Sequence, residues 1–210
     1  MEKKDKAFKI IAVLALVVAV VGLTVGFAAF SSTLKISSHT ATVKAGDDNF
    51  SANFGFTGTP SCTPSGSTEI TGDTDGYTAG TVTRTTWSGL SATLYKPGDK
   101  LTCTATISND SDYTAFLNSI STAAGLSCAG DANNLSAVCG ALKATVTVSP
   151  STLDITSAAA TTNEITGNSI AVDATTTATF VLEYDAAGQV ADEDFTVTIP
   201  EISLAYATAD

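Results

Sequence analysis

Beyond residue 30, apolar and polar side chains alternate along most of the chain with a period of two. The clearest run covers residues 101–107, in which every second side chain is apolar and the intervening ones are threonine. This period places successive side chains on opposite faces of an extended strand. Such runs predict about nine strands and no long amphipathic helix. Other runs include 30–43, 50–56, 80–87, 113–120, 142–148, 170–174, 180–184 and 195–206.

Turn-forming residues separate these runs. The tetrapeptide Lys96-Pro97-Gly98-Asp99 predicts a tight turn, because proline presets one φ angle and glycine supplies a positive φ at the next position. Residues 57–80 show little periodicity and are predicted to run over the surface, held by Cys62. Within 195–206 the alternation slips at Pro200, which predicts a bulge or bend on an edge strand.

The first thirty residues follow a different pattern. An apolar run from Ile10 to Phe30, interrupted only by Thr24, follows four lysines. As a helix, it is long enough to cross a hydrocarbon core of about 30 Å. Residues 1–30 therefore predict one hydrophobic helix, which serves either as a membrane anchor through residues 7–30 or as a signal peptide cleaved before Ala29. Both interpretations place residues 31–210 outside the cytoplasm, in the extracellular space or on the cell surface.

The composition of residues 31–210 favours a single all-β domain. Threonine and valine recur in strings such as TCTATIS and ATVTVS, and β-branched residues fit a pleated, half-buried surface. About nine alternating strands predict a two-sheet β-sandwich with jelly-roll or immunoglobulin-like connectivity.

Four cysteines, Cys62, Cys103, Cys128 and Cys139, occur in the exported part. None forms a C-x-x-C pair, so a zinc site is not expected, and an even number in an exported domain predicts two disulfides. Of the three possible connectivities we prefer Cys62–Cys103 with Cys128–Cys139. On a chain-entropy model, these two disulfides would stabilise the folded state by about 4 and 3 kcal/mol, respectively.

The net charge limits the partners of the exported part. It carries six basic and nineteen acidic residues, a net of −13. Such a surface repels nucleic acid and anionic lipid headgroups, so neither is expected to bind it.

Candidate chemistry is sparse, and we expect neither an enzyme nor a cofactor. A hydrolase of the Ser–His–Asp or Cys–His type would need His39, the single histidine, and an exposed strand position explains this residue better than catalysis does. Asp73 and Asp75 resemble the start of a calcium loop, but the later acidic ligand is missing. We therefore favour a plain acidic turn there, and also at 192–194, over a metal site.

Two segments resemble the TasA/camelysin-type exported proteins of Gram-positive bacteria. They are FAAFSSTLKISSHTA at 27–41 and LYKPGDKLTCTATISNDSDYTAFLNSI at 94–120, about a fifth of the chain. The resemblance implies a jelly-roll subunit that polymerises by donating its N-terminal strand to the next subunit, with Phe30, Leu34 and Ile36 as anchors. The alternative is that this strand completes its own sheet. The camelysin peptidase activity is not inferred, because matching metal ligands are absent.

The leading functional hypothesis is therefore an exported structural protein, such as a fibre or biofilm-matrix subunit that assembles through its N-terminal strand. One alternative is a membrane-anchored extracellular binding module or adhesin. Another is a pilin-like filament subunit whose apolar helix packs into a filament core. The expected partners are other copies of the chain or a cell-surface molecule.

Overall fold

A computed structural model describes residues 31–36, 48–72, 75–156 and 160–208. These segments contain thirteen strands and three short helices, so the expected all-β class is confirmed. The strands are β1 (Ser31–Ile36), β2 (Phe54–Ser65), β3 (Tyr77–Thr83), β4 (Thr86–Ala92), β5 (Lys100–Asn109), β6 (Ala115–Thr122), β7 (Ser127–Gly130), β8 (Leu142–Val148), β9 (Ser151–Ile155), β10 (Thr161–Ile170), β11 (Ala174–Tyr184), β12 (Phe195–Thr198) and β13 (Ile202–Thr208). The helices are α1 (Asp48–Asn53), α2 (Thr68–Gly72) and α3 (Leu135–Gly140). The predicted helix within 1–30 lies outside the described residues.

The strands form two large sheets and one small one. The six-stranded sheet has the order β10-β6-β13-β1-β4-β3, and the five-stranded sheet has the order β2-β5-β11-β8-β9. A third sheet pairs β12 with β7. Neighbouring strands are antiparallel except for β1 and β4, which are parallel.

Buried side chains from both large sheets form one hydrophobic core. On β5 as far as Ile107, and along all of β8, every second residue is buried, as the alternation predicts, because these strands lie inside the five-stranded sheet with one face toward the core. Aromatic rings join the two sheets: the ring centroids of Phe54 and Tyr206 lie 4.7 Å apart, and those of Phe56 and Trp87 lie 6.3 Å apart.

The predicted strand at 50–56 is wrong in its first half. Residues up to Asn53 form α1, and β2 begins only at Phe54. Phe50 and Phe54 stack with their ring centroids 4.8 Å apart, and both are buried. Their spacing of four residues is that of one helical turn, and because α1 ends directly before Phe54, the turn of the helix brings both rings to one side.

The predicted irregular segment at 57–80 is also wrong. β2 continues to Ser65, α2 follows, and β3 starts at Tyr77. β2 hydrogen-bonds to β5 along one edge and is interrupted by a register shift between Thr57 and Ser61. An edge strand with a bulge needs few apolar residues, so its sequence lacks a clean alternation.

Three further expectations need correction. The run 80–87 is not one strand but the end of β3, a turn at Arg84 and the start of β4. The run 170–174 contains the end of β10 and a turn, in which Asp173 has a φ of 58°. After Pro200 the chain enters β13, which lies inside the six-stranded sheet and not at an edge.

The count of about nine strands was too low for the described residues. β7 and β9 are only four and five residues long, and β10 is polar at most positions because it borders its sheet. The predicted turn at 96–99 is confirmed. Gly98 has a φ of 96°, and the Asp99 N–H donates to the carbonyl oxygen of Lys96 at 3.1 Å.

Candidate assembly site

The most distinctive feature of the fold is the position of its N-terminal strand. β1 lies between β13 and β4, inside the six-stranded sheet. It pairs with β13 over all six residues, from Ser31 opposite Ala207 to Ile36 opposite Ile202. It pairs with β4 at only two positions, Lys35 and Ile36. We call the space between β13 and β4 the β1 slot.

The slot is formed by a strand with a clear alternation. On β13, Ile202, Leu204 and Tyr206 are buried, and the residues between them are half-exposed. This period of two orients β13 with one face on the core, and its two edges then bind β6 and β1. Two of the predicted anchors lie opposite buried residues: Leu34 faces Leu204 in the register, and Ile36 faces Ile202. Phe30, the third predicted anchor, lies outside the described residues.

Buried aromatic side chains line the core behind the slot. Trp87 on β4 is fully buried, and its Nε1–H donates to the carbonyl oxygen of Ala79 at 2.8 Å. Tyr206 on β13 is 1% exposed, and its hydroxyl has no hydrogen-bond partner within the described part of the chain. Burial raises the pKa of Tyr206, so its hydroxyl stays neutral. The wall of the slot is therefore uncharged and mainly apolar.

The outer edges of the two large sheets approach each other. On one side, the Asn163 side-chain amide of β10 donates to the carbonyl oxygen of Thr152 on β9 at 2.8 Å. On the other side, the Phe56 N–H of β2 donates to the carbonyl oxygen of Arg84, in the β3–β4 turn, at 2.7 Å. Hydrogen bonds that bridge the edges leave less free backbone there for a second chain to pair with.

The fully buried carboxylate of Asp99 stabilises the loops next to the start of β5. Asp99 accepts the backbone N–H groups of Ser67 at 2.8 Å, Tyr95 at 2.8 Å and Lys96 at 3.1 Å. Burial raises the pKa of Asp99, but these hydrogen bonds to the charged form outweigh it, so the pKa lies below its ordinary value. We call this arrangement the Asp99 clamp, and we assign it to stability.

The cysteines also have structural positions. The structure joins Cys62 to Cys103 and Cys128 to Cys139, which is the pairing that the sequence analysis preferred. The first disulfide links β2 to β5 across a register pair, and the second links β7 to α3. No cysteine is free, so the chain offers no thiol for catalysis.

Metal and catalytic candidates gain no support from the described residues. Asp73 and His39 lie outside them, and Asp75 is exposed. Within the described segments, no group of three or more His, Cys, Asp or Glu side chains could hold a metal ion. In the turn at 192–194, Asp192 accepts the Asn133 side-chain amide at 2.9 Å, and this bond lowers the pKa of Asp192.

Sequence reasoning missed the slot itself and the Asp99 clamp. The alternation identifies a strand at Leu34 and Ile36 but carries no information about its neighbours. The turn at 96–99 was found, whereas one partner of its aspartate, Ser67, lies 32 residues earlier in a separate turn. A local signal was available only for the Phe50–Phe54 stack, through its spacing of four residues.

Comparisons with protein families, with curated proteins and with solved structures found no match to this chain. Among the helices of residues 48–72, 75–156 and 160–208, none has both the length and the apolar character that a membrane crossing requires.

Proposed function

We propose that this chain is an exported, non-enzymatic structural protein of the cell surface or extracellular matrix. Its two large sheets form a β-sandwich, and it assembles into fibres when β1 of one copy occupies the slot of the next. The resemblance to TasA/camelysin-type proteins is part of this proposal. One observation supports it above the others: the strand that directly follows the export segment lies in the interior of a sheet.

The connectivity of β1 permits such an exchange. After cleavage before Ala29, only two residues precede β1, so the strand is held covalently at one end alone. Eleven residues, 37–47, connect it to α1. A chain of that length can span up to about 36–40 Å, whereas the six residues of β1 extend over only about 20 Å. The connection can therefore span more than the length of β1, as an exchange between copies requires.

The rest of the structure favours exchange over simple edge addition. The outer edges are bridged by hydrogen bonds at Asn163 and Phe56, whereas a vacated slot would expose the edge of β13 over six residues. Backbone hydrogen bonds to an added strand supply affinity, and the alternate side chains supply specificity. Leu34 and Ile36 then serve as anchors in either copy.

A cysteine mixing experiment tests the proposal directly. Lys35 and Ser203 are register partners, so their Cα atoms lie about 4.5–5.5 Å apart, within the range for a disulfide. Two exported proteins are prepared, Lys35→Cys and Ser203→Cys, and each carries one free thiol because the native cysteines are paired. They are mixed before assembly and oxidised. A covalent dimer between the two variants is expected only if β1 of one copy binds β13 of another.

The matched control replaces Ser203→Cys by Ser121→Cys. Ser121 lies opposite Ser203 on the far side of β13, two strand spacings or about 10 Å from Lys35. This pair should not cross-link. If the double variant Lys35→Cys/Ser203→Cys forms only an internal disulfide, and the mixed single variants form none in the presence of fibres, β1 completes its own sheet and the proposal fails.

The second candidate is a membrane-anchored binding module. The apolar run Ile10–Phe30, which is long enough to cross a bilayer, favours it. N-terminal sequencing of the natively exported protein separates the two. A start at Ala29 together with fibres favours the structural subunit, and a start at Met1 in the membrane fraction without fibres favours the anchored module.

A further inference from the structure

The direction of β1 defines two ends of the molecule. β1 begins beside the last residues of β13, with Ser31 opposite Ala207, and ends beside the first, with Ile36 opposite Ile202. We call the end where β1 begins the entry end and the end where β1 finishes the exit end. β5 runs from the exit end to the entry end, and its ten residues separate the two by about 30 Å.

The loops of the entry end are held together by Asn109, the last residue of β5. Asn109 is fully buried, and its Nδ2 donates to the carbonyl oxygen of Tyr113 at 2.8 Å and to that of the last residue of β10 at 2.9 Å. These bonds join the β5–β6 loop, 110–114, to the β10–β11 loop, 171–173. Each loop carries one exposed apolar side chain, Tyr113 at 38% and Val172 at 41% exposure.

The exit end has a similar construction around Asp99, which directly precedes β5. The Asp99 clamp holds the turn that contains Tyr95, and the Gly98 N–H donates to the carbonyl oxygen of the last residue of β11 at 2.8 Å. In the loop after β11, the carbonyl oxygen of Val190 accepts a side-chain amide from the residue before α3 at 2.8 Å. Tyr95 is 42% exposed and Val190 is 63% exposed.

Apolar exposure is therefore confined to the two ends. Tyr113 and Val172 at one end, with Tyr95 and Val190 at the other, are all the large apolar side chains that are exposed in the described segments. Apolar residues grouped in this way mark contact surfaces. Loops that internal hydrogen bonds already order also lose little conformational freedom when they bind a partner.

The connection from β1 to α1 determines which ends meet during an exchange. When β1 of a donor copy fills the slot of an acceptor, Ile36 lies at the exit end of the acceptor. The chain then returns to α1 of the donor, which lies at the entry end, because Asn53 at the end of α1 accepts the N–H of Asp110 at 2.9 Å. The eleven residues 37–47 thus link the exit end of the acceptor to the entry end of the donor.

Charge disfavours contact between two entry ends. The entry end carries three exposed aspartates, Asp110, Asp112 and Asp173, with one described arginine in the nearby β3–β4 turn. Two entry ends in contact would bring six carboxylates together. The exit end carries Lys96 and Lys100 besides acidic residues, and each lysine forms an ion pair with a glutamate. An entry end therefore meets less repulsion at an exit end than at another entry end.

We propose that copies of this chain pack end to end, with the entry end of each donor on the exit end of its acceptor. Tyr113 and Val172 of the donor then contact the surface that carries Tyr95 and Val190 of the acceptor. The inference rests on the proposed function, because the exchange of β1 sets the polarity. Two different surfaces meet in this contact, so it repeats from copy to copy and produces an open filament.

The test mixes two exported and processed proteins, Val172→Cys and Val190→Cys. Each carries one free thiol, because the native cysteines are paired. After assembly, a bismaleimide with a spacer much shorter than the molecule is added. We expect cross-links between the two variants, since the entry end of one copy meets the exit end of the next. The spacer cannot join the two ends of a single copy, which lie about 30 Å apart.

Two controls establish the polarity and the open geometry. Thr162→Cys, at an exposed threonine near the start of β10, places a thiol of similar position at the exit end, and its mixture with Val190→Cys should not cross-link. An equal yield from this mixture overturns the inference. The double variant Val172→Cys/Val190→Cys should give a ladder of multimers, and a product that stops at the dimer indicates a closed pair and overturns the inference as well.

An assembly measurement provides a second readout. Val172→Asp should raise the protein concentration at which fibres form by about tenfold, because it removes an apolar contact and adds a carboxylate to the entry end. Thr177→Asp, at an exposed position on β11, is the matched control. Both residues are exposed, so the urea midpoints should match that of the parent. An equal effect of the two substitutions on fibre formation would contradict the end-to-end contact.

The two proposals can fail separately. The mixed Lys35→Cys and Ser203→Cys proteins report on the exchange of β1, and the mixed Val172→Cys and Val190→Cys proteins report on the contact between ends. Cross-links in the first mixture without cross-links in the second refute only the end-to-end contact. Cross-links in the second mixture alone refute the exchange and leave the contact between ends intact.

Discussion

Replacing Asp99 with alanine removes the acceptor of three backbone N–H groups at once. Ser67, Tyr95 and Lys96 donate these groups from two separate turns, and the carboxylate that accepts them is fully buried. Hydrogen bonds to charged groups contribute about 1.5–3 kcal/mol each. The cost of burying the charge offsets part of this sum, since burial raises the pKa of Asp99 while the hydrogen bonds lower it.

We expect Asp99→Ala to lower the free energy of unfolding by about 3–4 kcal/mol, which is a large fraction of the 5–15 kcal/mol typical of a domain. With a slope of about 2 kcal/mol per M of urea, the midpoint falls by about 1.5–2 M. Asp99→Asn keeps one acceptor oxygen and should show an intermediate loss. Asp131→Ala, at an exposed aspartate, is the control and should stay within about 0.5 kcal/mol of the parent.

The clamp also predicts the pH dependence of stability. The native pKa of Asp99 lies below that of the unfolded chain, so the carboxylate stabilises the fold at neutral pH. This contribution is complete above the unfolded pKa of about 3.9, and it is lost as the pH falls through the native pKa. The difference in stability between the parent and Asp99→Asn should therefore narrow below about pH 4.

Urea unfolding of the parent and the three variants, followed by Trp87 fluorescence at pH 7 and at a series of acidic values, measures both effects. A loss for Asp99→Ala no larger than that for Asp131→Ala would refute the reasoning. A difference between the parent and Asp99→Asn that stays constant down to about pH 2 would refute the assignment of the acid-sensitive component to this residue.

Three further predictions concern the backbone, the slot and the second disulfide. Gly55→Ala should destabilise by several kcal/mol in urea unfolding, because a Cβ atom there would lie 2.0 Å from a carbonyl oxygen of the β3–β4 turn; Gly140→Ala, with no atom within 4 Å, should change little. Leu34→Asp should abolish fibres in negative-stain micrographs, because it places a charge opposite the fully buried Leu204. The control Thr33→Asp, opposite the half-exposed Ala205, should be tolerated. Replacing Cys128 and Cys139 together by serine should lower the free energy of unfolding by about 3 kcal/mol. An unchanged urea midpoint would contradict a stabilising role of this disulfide.

The local pattern was sufficient for strands that lie inside a sheet with one face on the core. On β5 and β8 a period of two in the sequence becomes a period of two in burial, because a strand held on both edges has one face in the core and one outside. The turn at 96–99 followed from proline and glycine chemistry alone. In both cases, the physical cause acts between residues that are close in the chain.

The same reasoning failed where burial did not follow the alternation. β10 borders its sheet and carries mainly polar residues, so no period is visible in its sequence. The first half of the run 50–56 is helical, and this turn of helix brings the buried ring of Phe50 onto that of Phe54, the first residue of β2. Apolar content alone cannot distinguish a short helix from a short strand.

The sequence by itself determined the all-β class, the alternating faces of the interior strands, the acidic charge and the apolar segment before β1. Only the tertiary structure decided that β1 lies between β13 and β4 and that Asp99 accepts N–H groups from two separate turns. A backbone N–H or C=O group is nearly the same at every residue, so a sequence does not encode which strand or turn will satisfy it. That choice emerges when the whole core packs, and Ile36 finds Ile202 across 166 residues of chain.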